Sequence, residues 1–314
     1  MKTRFSAALT AAVSALAISL AAAGCTNASE VEAGAGSSGS GSAKASAQPS
    51  VDLTSVAKDP KIAAMVPADI AKKGTLTNGA EGTYAPAEFI GVDGKTLVGF
   101  DMDIATAIGQ VMGLKTTNQS SAFAQIIPAV GTKFDMGISG FTVTPDRLKQ
   151  VNMVTYMADG WTYGAAKGNP KKVDAKDVCG TTIAVQTGTA QADDAKKSAD
   201  TCAADGKAEV KILSYDQMTA ASQAVIGGKA DLMYADSIIV NYAAMQSGGA
   251  LEQLGGKTNT DEKGVVLPKD DPQMAKAVQA ALQKLIDDGT MKKIMSAWGA
   301  EGTMIKTAQI NPGK

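Results

Sequence analysis

Residues 134–147 read FDMGISGFTVTPDR and join a predicted strand to a predicted helix. Over the first five positions, apolar residues alternate with polar or small ones, which is the period of a half-buried strand. Gly140 then breaks the alternation. Thr144 offers a hydroxyl N-cap, and Pro145 suits the first helical position because a proline has no N–H to leave unpaired there. The stretch therefore predicts a strand, a turn and a helix that begins at Pro145.

The candidate for ligand binding in this stretch is Arg147, at about the third helical position. A cation there opposes the positive end of the helix dipole at a cost of about 0.3–1 kcal/mol, which a bound anion would offset. A guanidinium binds a carboxylate through two parallel hydrogen bonds, and the hydroxyls of Ser139 and Thr142 can add donors. The pattern predicts a carboxylate pocket. The alternative is a surface arginine paired with Asp146 or another acid, which would stabilise little.

Composition excludes several classes of chemistry. The chain has 314 residues, 45% of them hydrophobic, which is enough for one or two globular domains. It has no histidine, so Ser-His and Cys-His nucleophiles are excluded, and three cysteines alone do not predict a zinc site. Without its first 24 residues, the chain carries 28 basic and 31 acidic side chains, a net charge of −3, which argues against nucleic acid as a partner. We expect no metal and no cofactor.

The N-terminus reads as an export signal. Lys2 and Arg4 precede an uncharged apolar run that ends in LAAAGC at Cys25. A basic start followed by an apolar segment is typical of a signal peptide, here residues 1–24. The small residues before Cys25 resemble the lipobox of bacterial lipoproteins, which implies a lipid on that cysteine and an anchor to the outer face of the cytoplasmic membrane. The alternatives are an ordinary signal or a single spanning helix, for which the run is short.

Residues after Cys25 predict a flexible spacer. From residue 26 to about residue 50 the chain is mainly Ala, Gly and Ser, too poor in large apolar groups to fold. Flexible-chain scaling gives about 25 such residues a span of roughly 25–30 Å. We therefore assign residues 25–58 to the lipidated cysteine and a tether. The globular body is expected to begin at residue 59.

Residues 99–112, GFDMDIATAIGQVM, predict a strand that passes into an amphipathic helix stopped at Gly113. This motif resembles the signature of the polar amino-acid solute-binding proteins of bacterial ABC importers, the family 3 extracellular solute-binding lipoproteins. Further motifs resemble successive landmarks of that family, in the same order, over nearly all of residues 74–298. They are TYAPAEF, SGFTVTPDR, IAVQTGTAQ, GGKADLMYAD and LQKLIDDGTMKKIMSAW.

The resemblance implies an α/β fold of the type II periplasmic-binding-protein class. Two lobes, each an open sheet flanked by helices, would be joined by a hinge of two strands. Lobe 1 would comprise residues 59–164 and 264–314, and lobe 2 residues 165–263. The two crossings are predicted at residues 152–166 and from Lys263 to Pro268.

The resemblance also implies which residues bind the ligand. Arg147, Ser139, Thr142 and the Gly188 turn would bind an α-carboxylate, while Asp236 would bind an α-ammonium. The complete predicted set is Glu81, Tyr84, Phe123, Ser139, Gly140, Thr142, Arg147, Gly188, Thr189, Ala190 and Asp236. Core packing remains the alternative for the two aromatic residues. For Asp236 the alternative, compatible with binding, is an N-cap of the helix that follows.

Two positions bear on ligand preference. Glu81 matches a position where receptors for basic amino acids in this family carry an acid, which favours lysine, arginine, ornithine or histidine as the ligand. Ala87 replaces an aromatic residue often seen after the proline, which would enlarge the pocket. Ala190 stands where the family often has a second hydroxyl, so a side-chain contact would be lost there.

Cys179 and Cys202 bracket a predicted strand and helix. In an exported protein, two cysteines besides the lipidated one most simply form a disulfide. The loop that it closes, about 24 residues, would contribute roughly 3 kcal/mol in the chain-entropy model.

These inferences converge on a monomeric, lipid-anchored receptor that captures a free amino acid by closing a cleft and delivers it to an ABC permease. The competing class is an enzyme, because a few dehydratases of prephenate-like acids resemble the same fold. Such an enzyme would need a group for proton transfer. The sequence has no histidine and suggests no paired acids, so we expect no catalytic residue.

Overall fold

The structure is a computed structural model that describes residues 49–313. The predicted signal peptide, Cys25 and most of the predicted tether lie outside the described residues. Leu53 is buried in the main core, and Val51 and Val56 pack against it. The globular body therefore begins before residue 59, earlier than predicted. No helix in the described part of the chain has the length and apolarity that a membrane span requires.

The elements alternate between strands and helices along most of the chain. The strands are β1 Thr75–Ala80, β2 Thr83–Tyr84, β3 Glu88–Ile90, β4 Leu97–Val98, β5 Lys115–Ser120, β6 Met136–Gly137, β7 Val151–Ala166, β8 Thr182–Gln186, β9 Lys211–Tyr215, β10 Leu232–Asp236 and β11 Leu251–Pro268. The helices are α1 Pro60–Ala63, α2 Ala68–Lys73, α3 Phe100–Met112, α4 Phe123–Ala129, α5 Pro145–Gln150, α6 Ala190–Ala204, α7 Met218–Ile226, α8 Ser237–Gln246, α9 Pro272–Asp287 and α10 Thr290–Ala297.

The main sheet runs in the order β5-β1-β6-β11-β7-β10-β8-β9. Its two central strands, β7 of 16 residues and β11 of 18 residues, are antiparallel to each other and extend through both halves. One end of this ribbon pairs with β6, through Val266 opposite Gly137, and the other end pairs with β10, through Leu232 opposite Ala165. The predicted two-lobed α/β fold with a two-strand hinge is confirmed.

The second crossing is longer than predicted. β11 begins at Leu251, although only the part from Lys263 onward was expected to be a strand. The missed part reads LEQLGGKTNTDE and is largely exposed, so it lacks the alternation that marks a half-buried strand. Pairing with β7 orders it. The register between β11 and β7 shifts three times, the last shift falling between Lys263 and Gly264.

Helix α3 begins one residue after Gly99, and the strand before it ends at Val98, so residues 99–104 are not a strand. Gly99 has a φ of 126°, and a Cβ at this position would lie 2.1 Å from the carbonyl oxygen of Ala87. Only glycine fits this tight entry to the helix. Gly113 ends α3 in the left-handed conformation, as predicted.

The disulfide between Cys179 and Cys202 is present, with Cα atoms 5.6 Å apart. It joins the segment that enters β8 to the last turn of α6, so both cysteines lie in lobe 2. This confirms the predicted pairing and gives it a structural role.

Candidate functional site

The predicted ligand-binding residues lie at the ends of strands that face each other across the cleft. Glu81 follows β1, Ser139 and Gly140 follow β6, Gly188 follows β8, and Asp236 ends β10. The carboxyl ends of parallel strands are where open α/β sheets bind ligands. A central cavity is lined by nine residues from both lobes: Tyr84, Phe123, Ser139, Gly140, Thr142, Arg147, Thr189, Ala190 and Gln191.

Arg147 is held inside this cleft. Its helix begins as predicted, with the Thr144 hydroxyl accepting from the Arg147 N–H at 3.3 Å. One guanidinium nitrogen donates to the Thr142 carbonyl at 2.7 Å, and the other donates across the cleft to the Gly188 carbonyl at 3.1 Å. A guanidinium has five N–H donors, so three remain for a ligand. Burial lowers the pKa of Arg147 to about 10, while the charges of Asp193 and Asp236 oppose this shift.

The alternative interpretation of Arg147 as a surface ion pair is wrong. The side chain is only 8% exposed. Asp146, its proposed partner, is 85% exposed and pairs with Lys149 at 2.7 Å instead. Within residues 49–313 the guanidinium is buried and forms no ion pair with a carboxylate, which the alternative required.

Two phenylalanines form the floor beneath the guanidinium. Phe123 and Phe141 stack with ring centroids 4.6 Å apart, and the Arg147 guanidinium carbon lies 5.5 and 5.4 Å from their centroids. Cations above aromatic rings are stabilised by the ring quadrupole. Phe123 thus packs in a core cluster and lines the central cavity as well. Phe141 was missed because the sequence gives no sign that this residue would lie beneath Arg147.

Asp236 is the buried acid of the site. Its Oδ1 accepts from Lys263 Nζ at 2.5 Å and from Gln191 Nε2 at 2.9 Å, and its Oδ2 accepts from the Tyr84 hydroxyl at 3.0 Å. Tyr84 belongs to lobe 1, so its bond to Asp236 crosses the cleft. Burial raises the pKa of Asp236, and the charge of Lys263 opposes that rise.

The helix after Asp236 is capped by a different residue. Asp236 occupies the N-cap position of α8, but its side chain makes no capping hydrogen bond. Asp159, on β7, performs this task, because its carboxylate accepts from the Ile238 N–H at 3.0 Å and the Ser237 hydroxyl at 2.6 Å. The Asp236 carboxylate therefore bonds Lys263, Gln191 and Tyr84 instead of its own helix, and it is not among the nine residues that line the central cavity.

The Gly188 turn presents the start of α6 to the cavity. Gly188 has a φ of +80°, and a Cβ there would lie 3.0 Å from the Cβ of Ala124 in lobe 1. Thr189 caps α6 by accepting from the Ala192 N–H at 3.2 Å. The first turn of this 15-residue helix thereby directs backbone N–H groups and the positive dipole end toward the cleft. Thr189 and Ala190 line the cavity.

The side chain of Glu81 is buried, and its carboxylate bonds Thr83 instead of lining the central cavity. Its carboxylate accepts from the N–H of Thr83 at 2.7 Å and from the Thr83 hydroxyl at 2.9 and 3.0 Å. That hydroxyl also accepts from the Met218 N–H of lobe 2 at 3.0 Å, a further contact across the cleft. Burial raises the pKa of Glu81. The residues that line the central cavity do not include Glu81, so its contact with a ligand side chain stays a prediction.

A pair of acids lies behind the cavity, although the sequence suggested none. Glu88 and Asp101 are both fully buried. Ser139 donates to Glu88 at 2.6 Å, and Asp101 accepts from the Gly140 N–H and the Tyr156 hydroxyl, both at 3.0 Å. Burial, with the charge of Asp101, raises the pKa of Glu88 well above its ordinary value, and burial raises that of Asp101 to about 7. The pair fixes residues 139 and 140, and neither acid lines the cavity.

Lys263 is the principal site residue that sequence reasoning missed. Its side chain is fully buried, and its Nζ donates to the Thr142 hydroxyl at 2.8 Å as well as to Asp236. In the sequence it stands after Asp261 and Glu262 at the start of the expected strand, where a lysine is usually hydrated. No periodic signal separates it from a surface cation.

The central cavity has a volume of only about 10 Å³. A cavity of this size holds about one water molecule, so an amino acid can enter this space only if the lobes separate. A larger cavity of about 520 Å³ lies outside it and shares Phe123, Arg147 and Ala190 as its wall. Arg147 thus stands between the interior of the cleft and its entrance.

Comparison with known proteins identifies similar chains. Residues 76–301 match the bacterial extracellular solute-binding proteins, family 3. The arginine-binding protein ArgT of Corynebacterium glutamicum is 36% identical over 255 residues, which cover 80% of this chain and 83% of ArgT. Two solved structures, each 30% identical, are also similar. An ancestral arginine-binding protein bound to arginine has a TM-score of 0.67 and covers 72% of this chain and 98% of its own. The ancestral amino acid-binding protein AncCDT-1, a precursor of cyclohexadienyl dehydratase, has a TM-score of 0.66, and the match covers 73% of this chain and 97% of AncCDT-1.

Proposed function

Because this chain belongs to the bacterial extracellular solute-binding proteins of family 3, we propose that it captures a free amino acid outside the cytoplasm and delivers it to the permease of an ABC importer. The observation that carries the proposal is that Arg147 and Asp236 are both buried and that each makes a hydrogen bond across the cleft, Arg147 to Gly188 and Asp236 with Tyr84. A buried guanidinium and a buried carboxylate suit the two charged ends of an amino acid.

In this proposal both lobes bind the carboxylate of the ligand, and lobe 2 binds its ammonium. Arg147 and the first turn of α6 bind the α-carboxylate, with hydroxyls from Ser139 and Thr142 beside them. Asp236 binds the α-ammonium. Tyr84 and Phe123 enclose the side chain, which gains from burial and, if it is cationic, from the aromatic rings. The lobes close about β7 and β11, and the permease recognises the closed form.

Arginine is the first candidate ligand, as part of a preference for basic amino acids. ArgT and the ancestral structure are named for arginine, and Glu81 supplies an acid at the edge of the cleft. On this proposal Glu81 exchanges a hydrogen bond from Thr83 for one from the ligand side chain. The receptor is a monomer held to the outer face of the membrane by a lipid on Cys25.

A thermal-shift screen against the twenty amino acids tests the proposal. A ligand at 100 times its dissociation constant adds about 2.7 kcal/mol to the stability of the native state. We expect the largest rise in Tm with L-arginine or another basic amino acid. If none of the twenty raises Tm, the proposed function is rejected.

Arg147→Ala tests the carboxylate contact. We expect the variant to lose the ligand-induced shift, because the α-carboxylate would have no buried cation to face. Lys149→Ala is the matched control, since Lys149 lies on the same helix and is 75% exposed. Arg147→Lys keeps the charge but loses the planar fork, so it should retain a reduced shift. An unchanged shift in Arg147→Ala would exclude the proposed role.

The enzyme alternative has one point in its favour, the similarity to AncCDT-1. That protein is itself an amino acid-binding protein. The acids Glu88 and Asp101 lie behind the cavity wall and are held by structural hydrogen bonds. We expect no turnover of prephenate by the purified protein, measured as formation of phenylpyruvate, and product formation above the uncatalysed rate would revive the alternative.

A further inference from the structure

Lys263 occupies an unusual position for a lysine. It lies on β11 where the strand passes between the lobes, and its side chain is fully buried. Its ammonium contacts one oxygen acceptor from each lobe, the Thr142 hydroxyl at 2.8 Å and Asp236 at 2.5 Å. The Trp161 ring centroid lies 5.9 Å away. Lys263 therefore ties the two lobes together inside the cleft.

The Asp236 carboxylate is the group that suits a ligand ammonium, and under the proposed function it binds the α-ammonium. An alkylammonium has three donors and no acceptor, whether it belongs to a lysine side chain or to an amino acid. The Lys263 ammonium thus satisfies Asp236 with the same chemistry. Lys263, Gln191 and Tyr84 already use three of the roughly four lone-pair sites of this carboxylate, so a second ammonium cannot make a full set of contacts with it.

Asp236 needs a cation whenever the cleft is closed around it. Removing one partner of a buried ion pair is strongly destabilising, because the remaining charge is left buried without compensation. Lys263 supplies the cation in the arrangement described here. Separation of the lobes moves Thr142 away from Asp236, since they belong to opposite lobes, and lets water or another ammonium reach the carboxylate.

We infer that Lys263 is a specificity-determining residue that competes with the ligand ammonium for Asp236. The inference rests on the proposed function. An amino acid must displace the Lys263 ammonium to bind, which weakens its affinity. A carboxylic acid without an α-amino group binds Arg147 while Lys263 stays in place. Lys263 therefore narrows the difference in affinity between an amino acid and its des-amino analogue.

Isothermal titration of L-arginine and 5-guanidinopentanoate, which is arginine without its α-amino group, tests the inference in the wild type and Lys263→Met. Methionine keeps a similar length but carries no charge. We expect L-arginine to bind the variant at least tenfold more tightly and the analogue at least tenfold more weakly. The ratio of the two dissociation constants should change by a hundredfold or more. An unchanged ratio would overturn the inference.

Lys257→Met is the matched control. Lys257 lies on the same strand and pairs with Asp159 at 3.0 Å, and its side chain is half exposed. This variant also loses one lysine from β11, but we expect it to leave the ratio of dissociation constants unchanged. A hundredfold change in the control would show that any loss of charge on this strand has the same effect, and the inference would fail.

A second measurement does not depend on a ligand. Spin labels on exposed positions of the two lobes report their separation in protein dialysed free of amino acids. We expect a longer distance in Lys263→Met than in the wild type. Asp236 would have lost its cation in the closed cleft, and opening of the cleft would let water reach its carboxylate. Lys263→Gln replaces it if the methionine variant does not fold. Equal distances would overturn the inference even if arginine binds, whereas a failure of every amino acid to bind would reject the proposed function instead.

Discussion

Arg147 shows how one side chain can be fixed before a ligand arrives. Two backbone carbonyls, one from each lobe, hold its nitrogens, and two stacked phenylalanines support its plane. The Thr142 carbonyl and both rings belong to lobe 1, so these contacts do not depend on closure, and little rotational freedom is left for a ligand to remove. The bond to Gly188 exists only while the lobes are together, so we expect it to form as the cleft closes.

The acid pair behind Ser139 and Gly140 should make stability depend on pH. Burial raises the pKa of Asp101 to about 7, above its value in the unfolded chain. The folded state then holds a proton that the unfolded state releases, so stability is lost as pH rises toward 7. We therefore expect the free energy of unfolding of Asp101→Asn, relative to that of the wild type, to rise by up to about 1.4 kcal/mol per pH unit between pH 5 and 7. Urea unfolding at several pH values measures this gain, and a difference that does not vary with pH would contradict it.

Glu88 faces Asp101, Ser139 and the charge of Glu81, while Asp101 faces Gly140, Tyr156 and the charge of Asp236. Asp236 belongs to lobe 2, whereas the other neighbours belong to lobe 1. Loss of the Asp101 proton places a second negative charge near Asp236. Asp101 does not line the central cavity, so any effect on ligand binding in the same pH range would come through residues 139 and 140 or through the charge near Asp236.

The Gly188 turn positions the first turn of helix α6. We expect Gly188→Ala to weaken ligand binding about tenfold, because the added methyl would meet Ala124 at 3.0 Å and shift the turn. Gly206→Ala, at the other end of the helix, is the control, since its φ is +67° and nothing lies within 4 Å of the added carbon. Both variants should lose roughly 1 kcal/mol of stability from the left-handed backbone. Equal affinities in titrations of the two variants would exclude this role for the turn.

Local elements could be predicted from the sequence where a chemical signal lies within a few residues. The start of α5 at Pro145, the turn at Gly188 and the disulfide are of this kind. The sequence did not predict the roles of Lys263, Glu88 and Asp101. Their hydrogen-bond partners are distant in the sequence, and no short motif indicates these contacts. The contact of Glu81 with a ligand side chain stays a prediction, and the sequence did not indicate the three hydrogen bonds that its carboxylate accepts from the neighbouring Thr83.

At the scale of the whole molecule, the body includes residues that composition assigned to the tether. Leu53 is buried in the core of lobe 1, so deletion through residue 58 should lower the free energy of unfolding by about 2 kcal/mol relative to deletion through residue 49. Affinity for the ligand should not change, because no residue of this segment lines the central cavity or the larger cavity outside it. Urea denaturation of the two truncated proteins tests this expectation, and equal midpoints would show that the segment adds nothing.

Lobe 2 is built from one continuous stretch that carries its own disulfide, whereas lobe 1 needs β11 and the helices that follow it. The chain is synthesised from its N-terminus, so residues 165–263 can be complete while β6 still lacks its antiparallel neighbour β11. A ribosome that stalls before residue 264 would therefore release a product with one finished half and one open sheet edge. Such an edge is a target for proteases and for aggregation.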